Sequence, residues 1–242
     1  MIENVTELHK KRNSKSALFL GCGPSILSLS ESDKKQIGKK CDLWSSNNFI
    51  IHHDIIPDFY HLEVKMHRNG QLMTDMLNLK HEKYQNVNWV LDSTRPYLVN
   101  FIQPGYFPNI FAYEKVYRNE EDGNYSPLEK QVSVSCNASL TVILDVMQRM
   151  NYEKIGFLGV DMKTSKYFWT DNPDYTDSPI PDIMKTCKPD ERKPDSLHPT
   201  FKLKDYIPEF CKFNKINAVN LSSQSLLQET MTTMSIQEFL NE

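Results

Sequence analysis

Apolar positions come in short uninterrupted runs separated by polar and turn-forming segments. Residues 16–20 (Ser-Ala-Leu-Phe-Leu) carry no charge and read as a buried strand. Gly21-Cys22-Gly23-Pro24-Ser25 breaks that run, and residues 26–31 can begin a helix. Residues 34–40 are basic and read as a solvated stretch, and 43–49 as a second strand entering a polar turn. Strands are predicted over 58–63 and 88–92, the latter stopped by Ser93-Thr94-Arg95-Pro96, and a helix over 70–79 from Leu72, Met73, Met76 and Leu79. Residues 101–125 are irregular and aromatic-rich, read as a loop over the sheet or an acceptor platform. Polarity alternates over 131–135, a candidate strand. Residues 138–150 form the best helix pattern, with Leu140, Ile143, Leu144, Met147 and Met150 on one face, and a buried strand follows over 155–161. A helix at 204–213, a strand at 218–221 and a capped helix at 235–241 (Ser235 and Glu238) complete the chain. Helix followed by uncharged strand is the unit of a parallel sheet, so the pattern predicts an α/β fold with a mainly parallel sheet flanked by helices.

Two segments depart from this rhythm. Residues 1–15 hold few apolar positions and read as a polar leader. Residues 162–197 contain five of the thirteen prolines and few core-type residues. Such a segment is too long for an ordinary connection and reads as a lid inserted in a single domain spanning 16–242.

Composition narrows the picture. The 242 residues are 39% hydrophobic and 11% aromatic, enough for a core. The formal net charge of −3 argues against a nucleic-acid partner. Cys22, Cys41, Cys136, Cys187 and Cys211 are odd in number and widely spaced, suggesting a reducing compartment rather than a disulfide framework or a zinc site. No apolar run is long enough to span a bilayer. These features predict a cytoplasmic protein, with peripheral attachment to a membrane if its acceptor is lipid-linked.

The glycine turn after the first strand has the order strand, tight turn, helix start, by which α/β sheets present backbone N–H groups to a phosphate. It lacks the third glycine of the dinucleotide fingerprint and the Gly-Lys-Ser/Thr of a P-loop, and a plain strand-to-helix turn reads equally well. The predicted strand ends gather Gly21, Gly23, Ser25, residues 46–48, Glu63, residues 92–94, Ser135, Asp161 and residues 222–225. These are hydroxyl, amide and isolated carboxylate groups without metal-ligand spacing, which suits a nucleotide bound without metal. His52-His53 reads as a surface pair. His198, after the lid and before Pro199, is a candidate general base or a loop histidine that merely packs. Lys163 and Tyr167 could bind a leaving phosphate, and Tyr167-Phe168-Trp169 could equally anchor the lid.

The ordered set Gly21–Ser25, Ser46-Asn47-Asn48-Phe49, Ser135 before a long helix, residues 155–161 and His198 resembles the bacterial lipooligosaccharide sialyltransferases. It also resembles, more loosely, the motility-accessory-factor-like glycosyltransferases and the 6-hydroxymethylpterin diphosphokinase-like proteins. The resemblance covers residues 17–227 and implies a Rossmann-like sheet with a lid. It implies an inverting, metal-independent transfer of an acidic, sialic acid-like sugar from a CMP donor to a surface-glycan or glycolipid hydroxyl. The CMP-sugar is then a substrate, no cofactor is expected, and self-association is open. In that resemblance Gly21, Cys22, Gly23, Ser25, Asn47, Ser135 and Asp161 would hold the donor. Tyr167 would steady the leaving phosphate and His198 would act as base. This chain has Cys22 where the family has asparagine, Cys136 rather than glycine after Ser135, Met162 and Lys163 near the place of a second lid tyrosine, and Glu63 where asparagine is expected. The alternatives are an ATP- and Mg²⁺-dependent diphosphokinase-like enzyme, with Glu63, Asp92 and Asp161 as metal ligands, and a non-catalytic nucleotide-binding paralogue.

Overall fold

The computed structural model describes residues 2–63, 66–95, 107–117, 131–134, 138–163, 166–170, 172–175 and 199–241. Nine strands, β1 (Ile2–Asn4), β2 (Ser16–Leu20), β3 (Asp42–Ser46), β4 (Phe59–Leu62), β5 (Asn88–Asp92), β6 (Ile110–Tyr117), β7 (Gln131–Val134), β8 (Lys154–Leu158) and β9 (Ala218–Asn220), form one sheet. Its order is β1-β6-β5-β4-β3-β2-β8-β9, β7 pairs with β6, and every pairing is parallel. The expected Rossmann-like α/β sheet is what forms. The central strands are apolar on both faces because both faces are covered: Ala17, Leu18, Leu20, Trp44, Phe59, Tyr60, Trp89 and Leu91 are all fully buried.

The helices are α1 (Glu31–Lys40), α2 (Met66–Tyr84), α3 (Ser139–Arg149), α4 (Pro199–Phe213) and α5 (Ile236–Asn241). The stretch expected to be basic and solvated is in fact α1. Ser30 Oγ accepts from Asp33 N at 3.1 Å while Asp33 Oδ2 accepts from Ser30 N at 2.9 Å, a capping box that starts the helix. Ile37 is its one buried apolar anchor and Lys35 and Lys39 are exposed, so the pattern shows almost no amphipathic stripe. In α3 the burial expected on one face extends around the helix, and the fully buried Asp145 is paired with Arg149 at 2.9 Å. The capping box predicted at Ser235 and Glu238 is present.

Two expectations are corrected. Residues 1–15 are not a detached leader: β1 pairs with β6, and Val5 and Leu8 of the following 3₁₀ turn (Val5–Lys11) are buried in the core. Residues 101–125, read as loop, contain β6, which the sequence obscures because prolines and glycines crowd its start. The lid segment falls largely outside the described residues. Its described part is tied to the body: Phe168 N donates to Cys22 O at 3.0 Å, and Phe168, Trp169 and Tyr175 are buried in one core cluster with Phe49.

Among the described residues no helix is long and apolar enough to cross a membrane. One polar chain crosses the core: Trp44 Nε1 donates to Tyr152 OH at 3.0 Å, and Tyr152 OH donates to Asp42 Oδ2 at 2.9 Å. His52 is not a surface residue but is 3% exposed, its Nδ1 accepting from Asp54 N and Ile55 N, each at 3.2 Å. His61, on β4, is fully buried with Nε2 2.8 Å from Tyr113 OH. Burial above all holds both imidazoles down to about 4. Between pH 6.5 and about 4 the unfolded chain therefore binds protons that the native state refuses. Stability is fully present above that window and falls through it on acidification, by on the order of 3 kcal/mol per histidine. In ring-proton NMR both histidines should stay untitrated down to pH 5; a midpoint near 6.5 for either would overturn this.

Candidate functional site

The chain moves from β2 through β6 toward one edge of the sheet, then returns to place β8 and β9 on the other side of β2. Strand order reverses between β2 and β8, and open α/β sheets bind ligands outside the carboxyl ends at such a point. Here the turns following β2 and β8 are bonded to each other. Gly21 N donates to Leu158 O and Gly23 N to Gly159 O, both at 2.7 Å. Ser25 N and Oγ donate to the two Asp161 carboxylate oxygens at 2.8 and 2.6 Å, and Gly159 N donates to Ser25 Oγ at 3.0 Å. A Cβ on Gly21 would lie 2.3 Å from Gly159 O, and one on Gly23 would lie 2.4 Å from Asp161 Oδ2. Gly159 has φ +76°, in the left-handed region.

In the structure this turn is closed against the one that follows β8. The N–H groups of Gly21, Gly23 and Ser25 face the protein, and the glycines permit one backbone to approach another. Asp161, 4% exposed, has both oxygens engaged by Ser25 rather than aimed at a ligand. Cys22 is half-buried and packs against the core, and burial pushes its thiol up to about 12. Tyr167 is half-buried and stacked on Trp169, with ring centroids 4.6 Å apart and planes 12° apart. Ser135 and His198 lie outside the described residues; α3 begins at Ser139 and α4 at Pro199.

A second set of side chains converges further along the carboxyl edge. Asn47, directly after β3, adopts φ 48°, a conformation asparagine tolerates better than most residues. Its Oδ1 accepts from Glu63 N at 2.8 Å and its Nδ2 donates to Ser139 Oγ at 3.1 Å. Ser139 Oγ donates to Glu63 Oε2 at 2.8 Å, closing a three-residue ring among the ends of β3 and β4 and the start of α3. Glu63 Oε1 receives Lys115 Nζ at 2.7 Å and Arg95 Nη2 at 3.3 Å, and Arg95 Nε lies 3.4 Å from Asp92 Oδ2. Burial raises the Glu63 pKa, but His61, Lys115 and Ser139 outweigh it, and the carboxyl titrates below the ordinary glutamate range. Sequence reading found Asn47, Glu63 and Asp92 at strand ends. It missed Lys115, inside the unrecognised β6, and gave no role to Arg95 or Ser139, whose convergence depends on strand order.

An all-parallel sheet with its polar cluster at the carboxyl edge defines an α/β fold of the Rossmann-like type. Solved structures with this fold include the monofunctional α-2,3-sialyltransferase Cst-I of Campylobacter jejuni, at 15% identity and TM-score 0.55, over 93% of this chain and 82% of that one. The sialyltransferase CstII of the same organism, in complex with the substrate analogue cytidine-5′-monophosphate, matches at 14% identity and TM-score 0.50, over 91% of this chain and 85% of that one. The MAf glycosyltransferase of Magnetospirillum magneticum AMB-1 matches at 16% identity and TM-score 0.55, over 96% of this chain but 38% of that one. No family model matches the chain, and no curated protein matches its sequence. What these comparisons share with this chain is the fold.

Two outcomes test the geometry. Gly21→Ala forces a methyl group into the Gly159 carbonyl and should cost roughly 1–3 kcal/mol in chemical denaturation; Gly38→Ala, where a Cβ meets nothing within 4 Å, should not destabilise. Lys115→Met leaves the Glu63 carboxylate, 15% exposed, short of its nearest cation. It should cost roughly 2–3 kcal/mol, somewhat below a fully buried pair, and raise the Glu63 pKa measured by carboxyl NMR.

Proposed function

We propose that this protein is a glycosyltransferase that moves an acidic, sialic acid-like sugar from a CMP donor to a hydroxyl of a glycan or glycolipid acceptor, with inversion and without a metal cofactor. The observation that carries the reading is the fold match over 93% of the chain to a sialyltransferase, combined with the ring formed by Asn47, Glu63 and Ser139 at the carboxyl edge. One of the matched proteins is solved with cytidine-5′-monophosphate, which supports the choice of nucleotide.

In this reading the ring carries the first contact with the donor. Asn47 sits on a strained, hydrogen-bonded backbone, so its amide keeps one orientation before a ligand arrives. The start of α3 beside Ser139 favours negative charge through the helix dipole. Tyr167 stands on a turn held by Thr170 N donating to Tyr167 O at 2.9 Å and by Tyr167 N donating to Thr170 Oγ1 at 3.1 Å. It is the side chain proposed to steady the leaving phosphate. His198, one residue before α4, is proposed as the base that takes the acceptor proton. Gly21–Ser25 and Asp161 act as the clamp that fixes the floor of the site.

The metal-dependent kinase reading asks Glu63, Asp92 and Asp161 to act as cation ligands. Glu63 is engaged by Lys115 and Ser139, Asp92 by Arg95 and Thr94, and Asp161 by Ser25. Among the described residues no group of three or more His, Cys, Asp or Glu could hold a metal ion. These pairings favour the glycosyltransferase reading.

The test is a thermal-shift series with CMP, CDP, UDP, GDP and ATP, with and without Mg²⁺, followed by transfer assays. CMP should raise the melting temperature without Mg²⁺. His198→Ala should lower transfer by about 10²–10⁴-fold while the CMP shift persists. A shift with ATP only in the presence of Mg²⁺ would transfer the assignment to the kinase class, and full transfer by His198→Ala would remove the histidine from the mechanism.

A further inference from the structure

Both ends of the hydrogen-bonded ring at the carboxyl edge belong to one residue, Glu63. Its backbone N–H donates to Asn47 Oδ1 at 2.8 Å, and a backbone N–H can only donate. That bond fixes the Asn47 amide with its nitrogen turned to α3, where Nδ2 donates to Ser139 Oγ at 3.1 Å. The other end is the Glu63 carboxylate. Against the effect of burial, His61 and Lys115 hold that carboxyl below the ordinary glutamate range, so at neutral pH it is ionised and can only accept. Ser139 Oγ, 2.8 Å from Glu63 Oε2, therefore gives its single proton to the carboxylate. No member of the ring can reverse while Glu63 carries its charge.

These directions decide what the ring has left for a ligand. Asn47, Glu63 and Ser139 are all half-buried rather than sealed in the core. Asn47 keeps one N–H that makes no bond to a described residue, and Ser139 keeps a lone pair on Oγ but no proton. One donor beside one acceptor matches a hydroxyl, which gives and takes hydrogen bonds at a single oxygen. An anionic oxygen is met by the Asn47 N–H but opposed by the Ser139 lone pair. An amide in place of the carboxylate inverts the pattern. Lys115 and Arg95 approach Glu63 Oε1 at 2.7 and 3.3 Å, and both can only donate. A glutamine would therefore turn its oxygen to the two cations and its NH₂ group to Ser139. Ser139 Oγ would then accept twice, and its own proton would point out of the ring.

We infer that Glu63 is a specificity-determining residue of the donor site: by keeping the Ser139 proton inside the ring, it shapes this contact for a hydroxyl of the nucleotide-sugar and against a second anionic oxygen. The inference rests on the glycosyltransferase reading for the identity of the ligand, but its chemistry is tested without the donor. The probe is sulfate, an anion that only accepts, titrated into the full chain and followed by NMR chemical shifts. Glu63→Gln should bind sulfate about fivefold or more tighter than the wild type. Loss of a negative charge alone would also tighten binding, so Ser139→Ala is made in both backgrounds. It should weaken sulfate binding by about fivefold more in Glu63→Gln than in the wild type, because only there does the hydroxyl donate to the anion. In the ligand-free protein Ser139→Ala should also shift the side-chain amide signals of Asn47, which report the ring directly. No gain of sulfate binding by Glu63→Gln, or an equal effect of Ser139→Ala in both backgrounds, overturns the assignment. So do Asn47 amide signals indifferent to Ser139→Ala, a measurement that does not depend on Glu63→Gln folding. Absence of a CMP thermal shift in the wild type, with the sulfate results as expected, instead counts against the nucleotide assignment and leaves the role of Glu63 standing.

Discussion

The carboxyl edge depends on the contact between the turns that follow β2 and β8. Gly21, Gly23 and Gly159 let two backbones approach at a distance no side chain permits, and the Ser25–Asp161 pair bolts them together. Because β2 and β8 are the strands on either side of the reversal in chain direction, this contact fixes the floor of the crevice. Phe168 N, bonded to Cys22 O, attaches the start of the lid segment to the same turn. A change here is felt in the sheet, the crevice and the lid together.

The second organising feature is the pairing of buried polar groups next to the crevice. Lys80, 8% exposed, donates to Ile50 O at 2.5 Å and His52 O at 2.6 Å, and so holds the end of the 3₁₀ turn that begins at Asn47. Burial lowers its pKa to about 8, still above neutrality, so the bonds are made mainly by the charged amine at pH 7. Tyr60 OH donates to Asn47 O and accepts from Ile50 N, steadying the same turn from below. The left-handed backbone of Asn47 is thus over-determined by its neighbours, the condition under which strain persists.

Much of the sheet was legible because its central strands are buried on both faces and therefore mostly apolar: residues 16–20 and 88–92 were recognised at their observed limits. The helix α3 was legible from its apolar spacing. By contrast α1 was hidden by having a single buried apolar residue, Ile37, and β1 by an exposed strand that shows no hydrophobic pattern. The glycine turn was recognised, with a phosphate cradle and a plain strand-to-helix turn both open. A glycine that admits a phosphate and a glycine that admits another backbone look identical in sequence. Asn47 was reached through resemblance, while Lys115 and Arg95 acquire meaning only once β6 and β5 are placed beside β4.

The placement of Lys115 explains a departure visible in the sequence. Where the resemblance expects asparagine this chain has Glu63, which brings a negative charge to the edge of a crevice proposed to hold an anion. β6 is separated from β4 by β5, so two strand spacings, about 10 Å, lie between the backbones. A lysine stem can reach across that gap, and Lys115 Nζ meets Glu63 Oε1 at 2.7 Å. With Arg95 and Asp92 the four ionic groups sum to zero charge. An anion in this crevice would therefore be recognised by the second N–H of the Asn47 amide and the start of α3, rather than by excess positive charge. Recognition of that kind depends on orientation, which is why the ring through Glu63 and the clamp at Gly21 belong to one design: the first aims the groups, the second keeps their platform still.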